Sequence, residues 1–220
     1  MAKRLWQPVV DNFADVQKLV HLAARMDTYD VDRIRGELLR GRRRYYEAEL
    51  TSQAARVGCP MMAGRLSNSA ILAELEQQSQ TDATGIVNTY NYDLAIAIQH
   101  IRVETPTANR FTYAAKLRGW ESNRANWKNP QIAQHTELSA RSRAQQDFYS
   151  RNAPLMGMAV LEPRTAVCPI CQGWINRGEV PIQVAKNNPP PYHNGCPHWF
   201  NIKPEKIPMT TCRFLWMGGQ

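Results

Sequence analysis

The residue types best suited to chemistry lie close together near the C-terminal end of the chain. Cys168 and Cys171 form a Cys-x-x-Cys pair, and a second cluster containing His193, Cys196 and His198 follows after twenty-one residues. A Cys-x-x-Cys turn directs two thiolates at one ion, and two ligands from a distant loop complete the tetrahedron that zinc prefers. The spacing therefore predicts one structural zinc ion, bound by three cysteines and one histidine.

The sequence does not decide which of the two histidines, His193 or His198, is the fourth ligand. His193 precedes Cys196 by three residues, the same spacing as in the first pair, and this favours His193. His198 is the alternative, either as the fourth ligand or as a hydrogen-bond partner of a ligand. The other two cysteines, Cys59 and Cys212, are expected to be buried thiols, because an odd number of cysteines argues against a disulfide framework.

We expect no enzymatic activity from this site. A catalytic zinc keeps an open coordination position beside a carboxylate that acts as general base. Glu179 and Glu205 occur in this part of the chain, but neither stands in a recognisable arrangement with a histidine. Glu137, further towards the N-terminus, is expected to be a salt-bridge or capping partner. The sequence also lacks a nucleophile elbow, a phosphate-binding loop and a dinucleotide fingerprint.

The predicted secondary structure changes near residue 153, from helices to short strands that would position the site. Before that point, apolar residues recur at three- and four-residue spacing and predict helices. These helices cover residues 9–26, 30–57, 67–104 with a break near 82–85, 107–127 and 130–151. Beyond residue 153 prolines multiply, and short apolar runs predict strands over residues 156–161, 180–184 and 212–216.

The predicted fold class is α+β, with a mainly α-helical region over residues 1–153 and a zinc-stapled module of short strands over residues 154–220. A module of this length is too short to build a large core, so the metal supplies stability that packing does not. Pro130 is expected in the first turn of the last helix, with Asn129 as its N-cap. Gly173 is expected to let the backbone turn closely beneath the metal.

The chain carries a formal net charge of +8 and is therefore attracted to polyanions. Its positive residues gather on predicted helices, where they form basic stripes. The candidates for contact with nucleic acid or a protein partner are Arg40, Arg42, Arg43, Arg44, Lys116, Arg118, Arg124 and Lys128. A solvated face, or a surface for an acidic protein, is an equal alternative.

Targeting signals are not apparent in the sequence. No apolar run approaches the roughly 20 residues needed to span a bilayer. The basic N-terminus is not followed by the apolar region of a secretory signal. We therefore expect a protein that folds in a cytoplasm and does not associate with membranes.

Several features occur in a recognisable order over roughly residues 85–200. A helix carrying Thr136 and Glu137 leads to an apolar run at residues 158–161, then to the Cys-x-x-Cys pair, and finally to Pro190-Pro191-Tyr192-His193 with Cys196. This order resembles the phage Mu F-like head morphogenesis proteins, which are minor capsid proteins of tailed phages. The chain departs from the family pattern at Pro163, where the family has an acidic residue. It departs again at Asn194, in place of a proline, and at Pro197-His198, in place of Arg-Cys.

The resemblance implies a structural protein of the virion head or neck, made in the host cytoplasm and stabilised by zinc. Its implied partners are the portal protein, the major capsid protein and packaged DNA, within a homo-oligomeric ring or larger assembly. The first hundred residues match no known pattern. The alternative function is a zinc-containing nucleic-acid-binding protein with a regulatory or processing role. A metal-finger nuclease is a third.

Overall fold

The structure is a computed structural model, and it describes residues 28–60, 69–151, 157–162, 167–192, 196, 198–206 and 208. Long helices precede a small antiparallel sheet that is interleaved with two short helices. The elements are α1 (Thr28–Arg56), α2 (Ser69–Glu104), α3 (Arg110–Arg151), β1 (Gly157–Leu161), α4 (Pro169–Arg177), β2 (Glu179–Pro181), α5 (Ile182–Lys186) and β3 (Phe200–Pro204). The predicted α+β class, with helices first and short strands in the C-terminal part, is confirmed. Within the described residues, no helix is both long enough and apolar enough to cross a membrane.

The first two long helices follow the predicted ones closely. α1 ends at Arg56, and Gly58 follows with a φ of 76°, a left-handed conformation that glycine adopts at little cost. α2 runs unbroken through residues 82–85, where a break was predicted. The buried side chains of Ala83 and Val87 keep its apolar face continuous there. The helix predicted over residues 9–26 lies outside the described residues.

The third long helix corrects the prediction around Pro130. α3 is one helix, with Pro130 in its interior, so Pro130 does not begin a separate helix and Asn129 is not its cap. An interior proline removes one backbone hydrogen bond and clashes with the preceding turn. Packing on both sides offsets this cost, because Leu117 before it and Leu138 after it are both buried.

The chain forms two compact units, and each of the long helices contributes residues to both. Unit 1 comprises Met1–Leu38 and Glu76–Pro130, and unit 2 comprises Leu39–Leu75 and Gln131–Gln220. The boundary predicted near residue 153 follows the change from helix to strand. Residues on both sides of it belong to unit 2.

Unit 1 is built on the facing apolar sides of α2 and α3. Its core cluster consists of Tyr90, Leu94, Ile98, Ile101, Tyr113, Ala114 and Leu117. Trp120 packs against this cluster, edge-on to the Tyr90 ring with centroids 5.6 Å apart. Arg124 closes one end of the interface by an ion pair with Asp93, with 2.9 Å between nitrogen and oxygen.

Unit 2 places the small sheet against the helices. The strand order is β2-β1-β3, with β1 paired antiparallel to both neighbours. Ala159 of β1 lies opposite Val180 of β2 and Ile202 of β3. Alternate residues of the strands therefore face one core, which also contains apolar side chains of α1, α2 and α3.

The strand predictions are partly correct. β1 matches the predicted run over residues 156–161. The run predicted over residues 180–184 is a strand only as far as Pro181, after which the chain turns into α5. β3 was not predicted, and the strand predicted over residues 212–216 lies outside the described residues.

A buried polar network joins α1 to α3 beneath the sheet. The Glu49 carboxylate accepts hydrogen bonds from Gln53 (2.6 Å), Gln145 (2.9 Å) and Arg141 (3.0 Å). Tyr149 donates its hydroxyl to Gln53 at 2.7 Å. Gln145 also reaches a backbone carbonyl of β3 at 3.4 Å, so the network extends to the sheet.

Candidate metal centre

The first two predicted ligands are positioned by the start of α4. Cys168 is the N-cap residue, in an extended conformation, and Pro169 occupies the first turn. The Cys168 sulfur accepts the backbone N–H of Cys171 at 3.4 Å, which brings both side chains to the same end of the helix. Gly173 lies within α4, and a Cβ added there would meet nothing within 4 Å. The prediction that Gly173 forms a tight turn beneath the metal is therefore wrong.

The other side of the site is the segment that leads into β3. Cys196 and His198 are both buried there. The sulfur atoms of Cys171 and Cys196 are 3.5 Å apart, and the Cys196 sulfur is 3.8 Å from Nδ1 of His198. All three ligand atoms lie within 4.8 Å of one another, close enough to share one metal ion.

These separations can be compared with those required by a tetrahedral zinc ion. With Zn–S bonds of about 2.3 Å and Zn–N bonds of about 2.0–2.1 Å, two sulfurs stand about 3.8 Å apart and a sulfur and a nitrogen about 3.6 Å apart. Both observed distances agree with these values to within about 0.3 Å. A covalent disulfide requires a sulfur–sulfur distance near 2.05 Å. Cys171 and Cys196 are therefore free thiols, not a cystine, and their separation is compatible with shared coordination of one metal ion.

The site is apolar and closed on the side of the core. Trp174 lies one turn after Cys171 on the buried face of α4 and packs edge-on to Phe200, with ring centroids 5.5 Å apart. Tyr192 packs against the same core and donates its hydroxyl to the carbonyl of Asn188 at 2.9 Å. Neither aromatic residue was predicted to be part of the site. The spacing of Trp174 from Cys171, three residues along one helix, was the available signal.

Burial is the largest influence on the protonation of Cys171. It raises the pKa of Cys171, and hydrogen bonds with the thiols of Cys168 and Cys196 raise this pKa further. Burial also raises the pKa of Tyr192, and the neighbouring cysteines add to this effect. In the absence of a cation Cys171 therefore favours its neutral thiol form, whereas a bound divalent ion would reverse this preference and hold it as a thiolate.

The structure brings together some of the predicted ligands but not all of them. Cys171, Cys196 and His198 are brought together as a potential metal site. Cys168 is half-buried and adjoins Cys171, although it is not one of the three mutually close ligands. His193, which the spacing favoured, lies outside the described residues, so its role stays a prediction. The observed geometry places the alternative, His198, in the site.

Of the remaining cysteines, Cys59 differs from the expectation. Cys59 is fully buried, as predicted, but it is disulfide-bonded and therefore not the free thiol that was expected. An odd number of cysteines excludes complete pairing but does not exclude a single bond, so the count alone does not decide the state of Cys59. Cys212 lies outside the described residues.

The basic stripes are less uniform than the sequence suggested. Arg42 is fully buried, and Arg124 is 9% exposed in an ion pair with Asp93, so neither is available to an external partner. These two predicted contacts are wrong because each residue falls on the inner face of its helix. Lys116 pairs with Glu104 at 3.5 Å, and Lys128 lies over the Trp127 ring at 4.7 Å. The exposed candidates are Arg40, Arg43, Arg44 and Arg118.

Two of the carboxylates singled out from the sequence form ion pairs with basic side chains. Glu179 forms an ion pair with Lys203 across the sheet. Glu137, at the position of the family's Thr-Glu pattern, pairs with Arg141 at 2.9 Å. The expectation that Glu137 forms a salt bridge is confirmed.

The comparisons with known proteins add no assignment. No family model matches the chain, and no curated protein or solved structure matches it. The class that fold and site define is a helical α+β protein with a buried cysteine–histidine cluster able to hold a metal ion.

Proposed function

We propose that this chain is a structural protein whose C-terminal module is held together by one zinc ion. The observation that carries the proposal is the agreement between the separations of Cys171, Cys196 and His198 and those of tetrahedral zinc coordination. Cys168, one turn from Cys171 and adjoining it, completes a four-ligand set when its sulfur turns to the ion. A site rich in thiolates favours zinc over harder cations.

The position of the site supports a structural role over a catalytic one. The ligands come from the start of α4 and from the entrance to β3, so one ion ties together two segments that are distant in sequence. The two close cysteines and His198 are buried, which leaves little room for substrate. Structural zinc contributes directly to folding, with apparent binding free energies of about 10–16 kcal/mol in zinc-finger peptides.

For the biological setting, we propose a minor capsid or head–neck protein of a tailed phage. The order of elements supports this reading. The helix with Thr136 and Glu137 precedes β1, which is followed by the cysteine-bearing α4 and then by Cys196. On this proposal the protein is part of the virion near the portal vertex, in contact with portal or major capsid protein, and catalyses no reaction.

The metal is tested by elemental analysis of the purified full chain and of three variants. We expect one zinc per chain, lost together with the folding of the module in Cys171→Ser and Cys196→Ser. Val167→Ser is the matched control, because Val167 is exposed beside the same helix and is not a ligand. Metal-free protein that keeps its fold contradicts the proposal.

The fourth ligand is identified by a second pair of variants. His198→Gln is expected to reduce zinc affinity strongly, whereas His193→Gln is expected to leave one zinc bound. The reverse result assigns the ligand to His193. Substitution with cobalt gives an independent readout, since the visible spectrum of Co(II) reports the number of sulfur ligands.

The phage role is tested by mass in solution and by electron microscopy of the zinc-loaded protein, alone and co-expressed with portal protein. A closed ring or a stable complex with portal supports the proposal. A monomer that binds DNA tightly, with strong dependence on salt concentration, contradicts it and favours the nucleic-acid-binding alternative.

A further inference from the structure

Unit 1 contains a groove between α2 and α3 whose lining includes two tryptophans. The groove has a volume of about 660 Å³ and extends over residues 93–104 of α2 and 116–127 of α3, about three helical turns on each helix. Trp120 and Trp127 lie seven residues apart on the groove side of α3, and Trp127 is 51% exposed. Tryptophan is enriched at the centres of protein–protein interfaces, so the groove is a candidate contact surface.

The charged residues of the groove cancel one another. Asp93 pairs with Arg124 at 2.9 Å, and Glu104 pairs with Lys116 at 3.5 Å. These four residues, together with His100, are the ionisable groups of the lining. A polyanion is therefore not attracted to this face, although the chain as a whole has a net charge of +8. Two copies of the same face, in contrast, meet without net repulsion between like charges.

The order of residues along α3 suits contact with a second copy of the same helix running in the opposite direction. Asn123 is exposed, lines the groove and lies midway between Gly119 and Trp127. When two α3 helices meet antiparallel with their Asn123 residues opposite each other, each Trp127 lies level with Gly119 of the other copy. A Cβ added at Gly119 meets nothing within 4 Å, so there is room for an indole ring at that level.

We propose that two copies of this chain associate through the α2–α3 groove, with their α3 helices antiparallel across a twofold axis at Asn123. The two Asn123 amides then hydrogen-bond to each other, because an amide offers both a donor and an acceptor. One asparagine at a helix interface fixes register and oligomeric state in coiled coils, and Asn123 has that role here. The contact uses the same patch on both copies, so it closes at two chains.

The size of the surface sets the expected strength of the dimer. Three helical turns are about 18 Å long and two helices side by side are about 20 Å wide, which gives a footprint of roughly 360 Å² per copy. Stable complexes bury about 800 Å² per partner, and smaller contacts are weak or transient. Unit 1 also has its own core between α2 and α3, so each copy folds separately. We therefore expect a reversible dimer whose population rises with protein concentration.

The proposal goes beyond the zinc-stapled structural role and does not depend on it. The proposed metal ligands all lie in unit 2, whereas the groove lies in unit 1. Metal content and dimer formation are measured separately, so either proposal can fail while the other holds.

The first test is sedimentation velocity of the full chain across a range of protein concentrations. We expect wild-type protein to change from monomer to dimer as the concentration rises, and Trp127→Ala to weaken association at least about tenfold. Phe111→Ala is the matched control, because Phe111 is an aromatic residue of α3 that is 81% exposed and does not line the groove. It is expected to behave as wild type. A monomer at every concentration, or a dimer that Trp127→Ala does not weaken, overturns the proposal.

The second test locates the twofold axis with a short bismaleimide that links two thiols. Asn123→Cys places one new thiol on each side of the axis, so the two chains of a dimer can be joined there. Ser122→Cys is the matched control, because Ser122 is exposed on the same helix about 100° away from Asn123. We expect several-fold more linked dimer for Asn123→Cys than for Ser122→Cys or the wild-type chain. Equal yields in the three proteins overturn the proposed arrangement.

Discussion

Removing the Glu49 carboxylate is expected to destabilise unit 2 more than the loss of any single hydrogen bond within it. The side chain of Glu49 is 6% exposed and accepts hydrogen bonds from Gln53, Gln145 and Arg141. In Glu49→Ala all three donors lose this acceptor at once. The substitution therefore breaks the link between α1 and α3 beneath the sheet.

The magnitude follows from the surroundings of the three donors. Arg141 is about one-third exposed and keeps its ion pair with Glu137, so its share is small, below about 1 kcal/mol. Gln53 and Gln145 are buried, and each loses a good acceptor at a cost of about 1–3 kcal/mol. We therefore expect Glu49→Ala to lower the free energy of unfolding by roughly 3–5 kcal/mol, the range found when one member of a buried pair is removed.

The assay is urea denaturation of the zinc-loaded protein, followed by circular dichroism. Glu47→Ala is the matched control, because Glu47 is exposed on the same helix and its effect is expected within about 0.5 kcal/mol. Glu49→Gln keeps one acceptor oxygen and is expected to fall between the two. A loss below about 1 kcal/mol for Glu49→Ala refutes the reasoning, since it means that water satisfies the donors as well as the carboxylate does.

Further substitutions test other parts of unit 2. Gly157 has a φ of 142°, and a Cβ there would stand 2.5 Å from a carbonyl oxygen of β3, so Gly157→Ala is expected to cost at least about 1–3 kcal/mol. Gly173→Ala, in an open helical position, should instead stabilise by about 0.4–1 kcal/mol, and equal thermal shifts for the two contradict this. Tyr149→Phe loses the hydrogen bond to Gln53, worth about 1 kcal/mol at neutral pH. Burial raises the pKa of Tyr149 above its ordinary 10.0, so the folded state retains a proton that the unfolded state releases, and stability falls as pH rises above 10.0. Tyr149→Phe should make this alkaline loss shallower, and an unchanged slope in pH-dependent denaturation counts against the assignment. Arg56→Ala removes two hydrogen bonds to β3, at 3.1 and 2.9 Å, and should cost about 1–3 kcal/mol in the same denaturation assay. No loss of stability there means that β3 is held without Arg56.

The elements that the sequence predicted correctly are those with strong local signals. Start and stop signals for α1 and the apolar face of α2 indicated the extent of these helices to within about two residues, which is the usual uncertainty of helix ends. The cysteine spacing led to Cys171 and Cys196, which the structure places 3.5 Å apart. The helix signals are local, because periodicity is read from neighbouring positions. The approach of Cys171 to Cys196 spans 25 residues and was predicted from the ligand chemistry that the two cysteine clusters share.

Two failures have different causes: tertiary packing overrides a local signal at Pro130, and the helical periodicity was not applied at Arg42. Asn129 and Pro130 have the sequence of a helix start, but buried residues on both sides keep α3 continuous. Arg42 was counted as a surface charge from its residue type alone. Its spacing from Tyr46 and Glu49, four and seven residues, places it on the buried face of α1, so the periodicity contained the answer.

β3 is another element whose sequence alone does not define its structure. Its five residues alternate between buried and more exposed positions, starting with Phe200, as a half-buried strand does. Five residues that end in a proline are too few for alternation to be distinguished from a loop. Pairing with β1 defines the strand, and pairing depends on a register that one strand alone does not contain.

β3 is also the element on which the proposed zinc site and the polar network converge. Among the strands that the structure describes it lies at an edge of the sheet, and edge strands offer unpaired backbone groups to other chains unless they are covered. Arg56 donates to the carbonyl of Ile202 and Gln145 to that of Phe200, so helices α1 and α3 occupy part of this edge. Cys196 and His198 lie at the entrance of the same strand. With the proposed coordination, zinc fixes the chain at the entrance of β3, next in sequence to the edge that Arg56 and Gln145 contact.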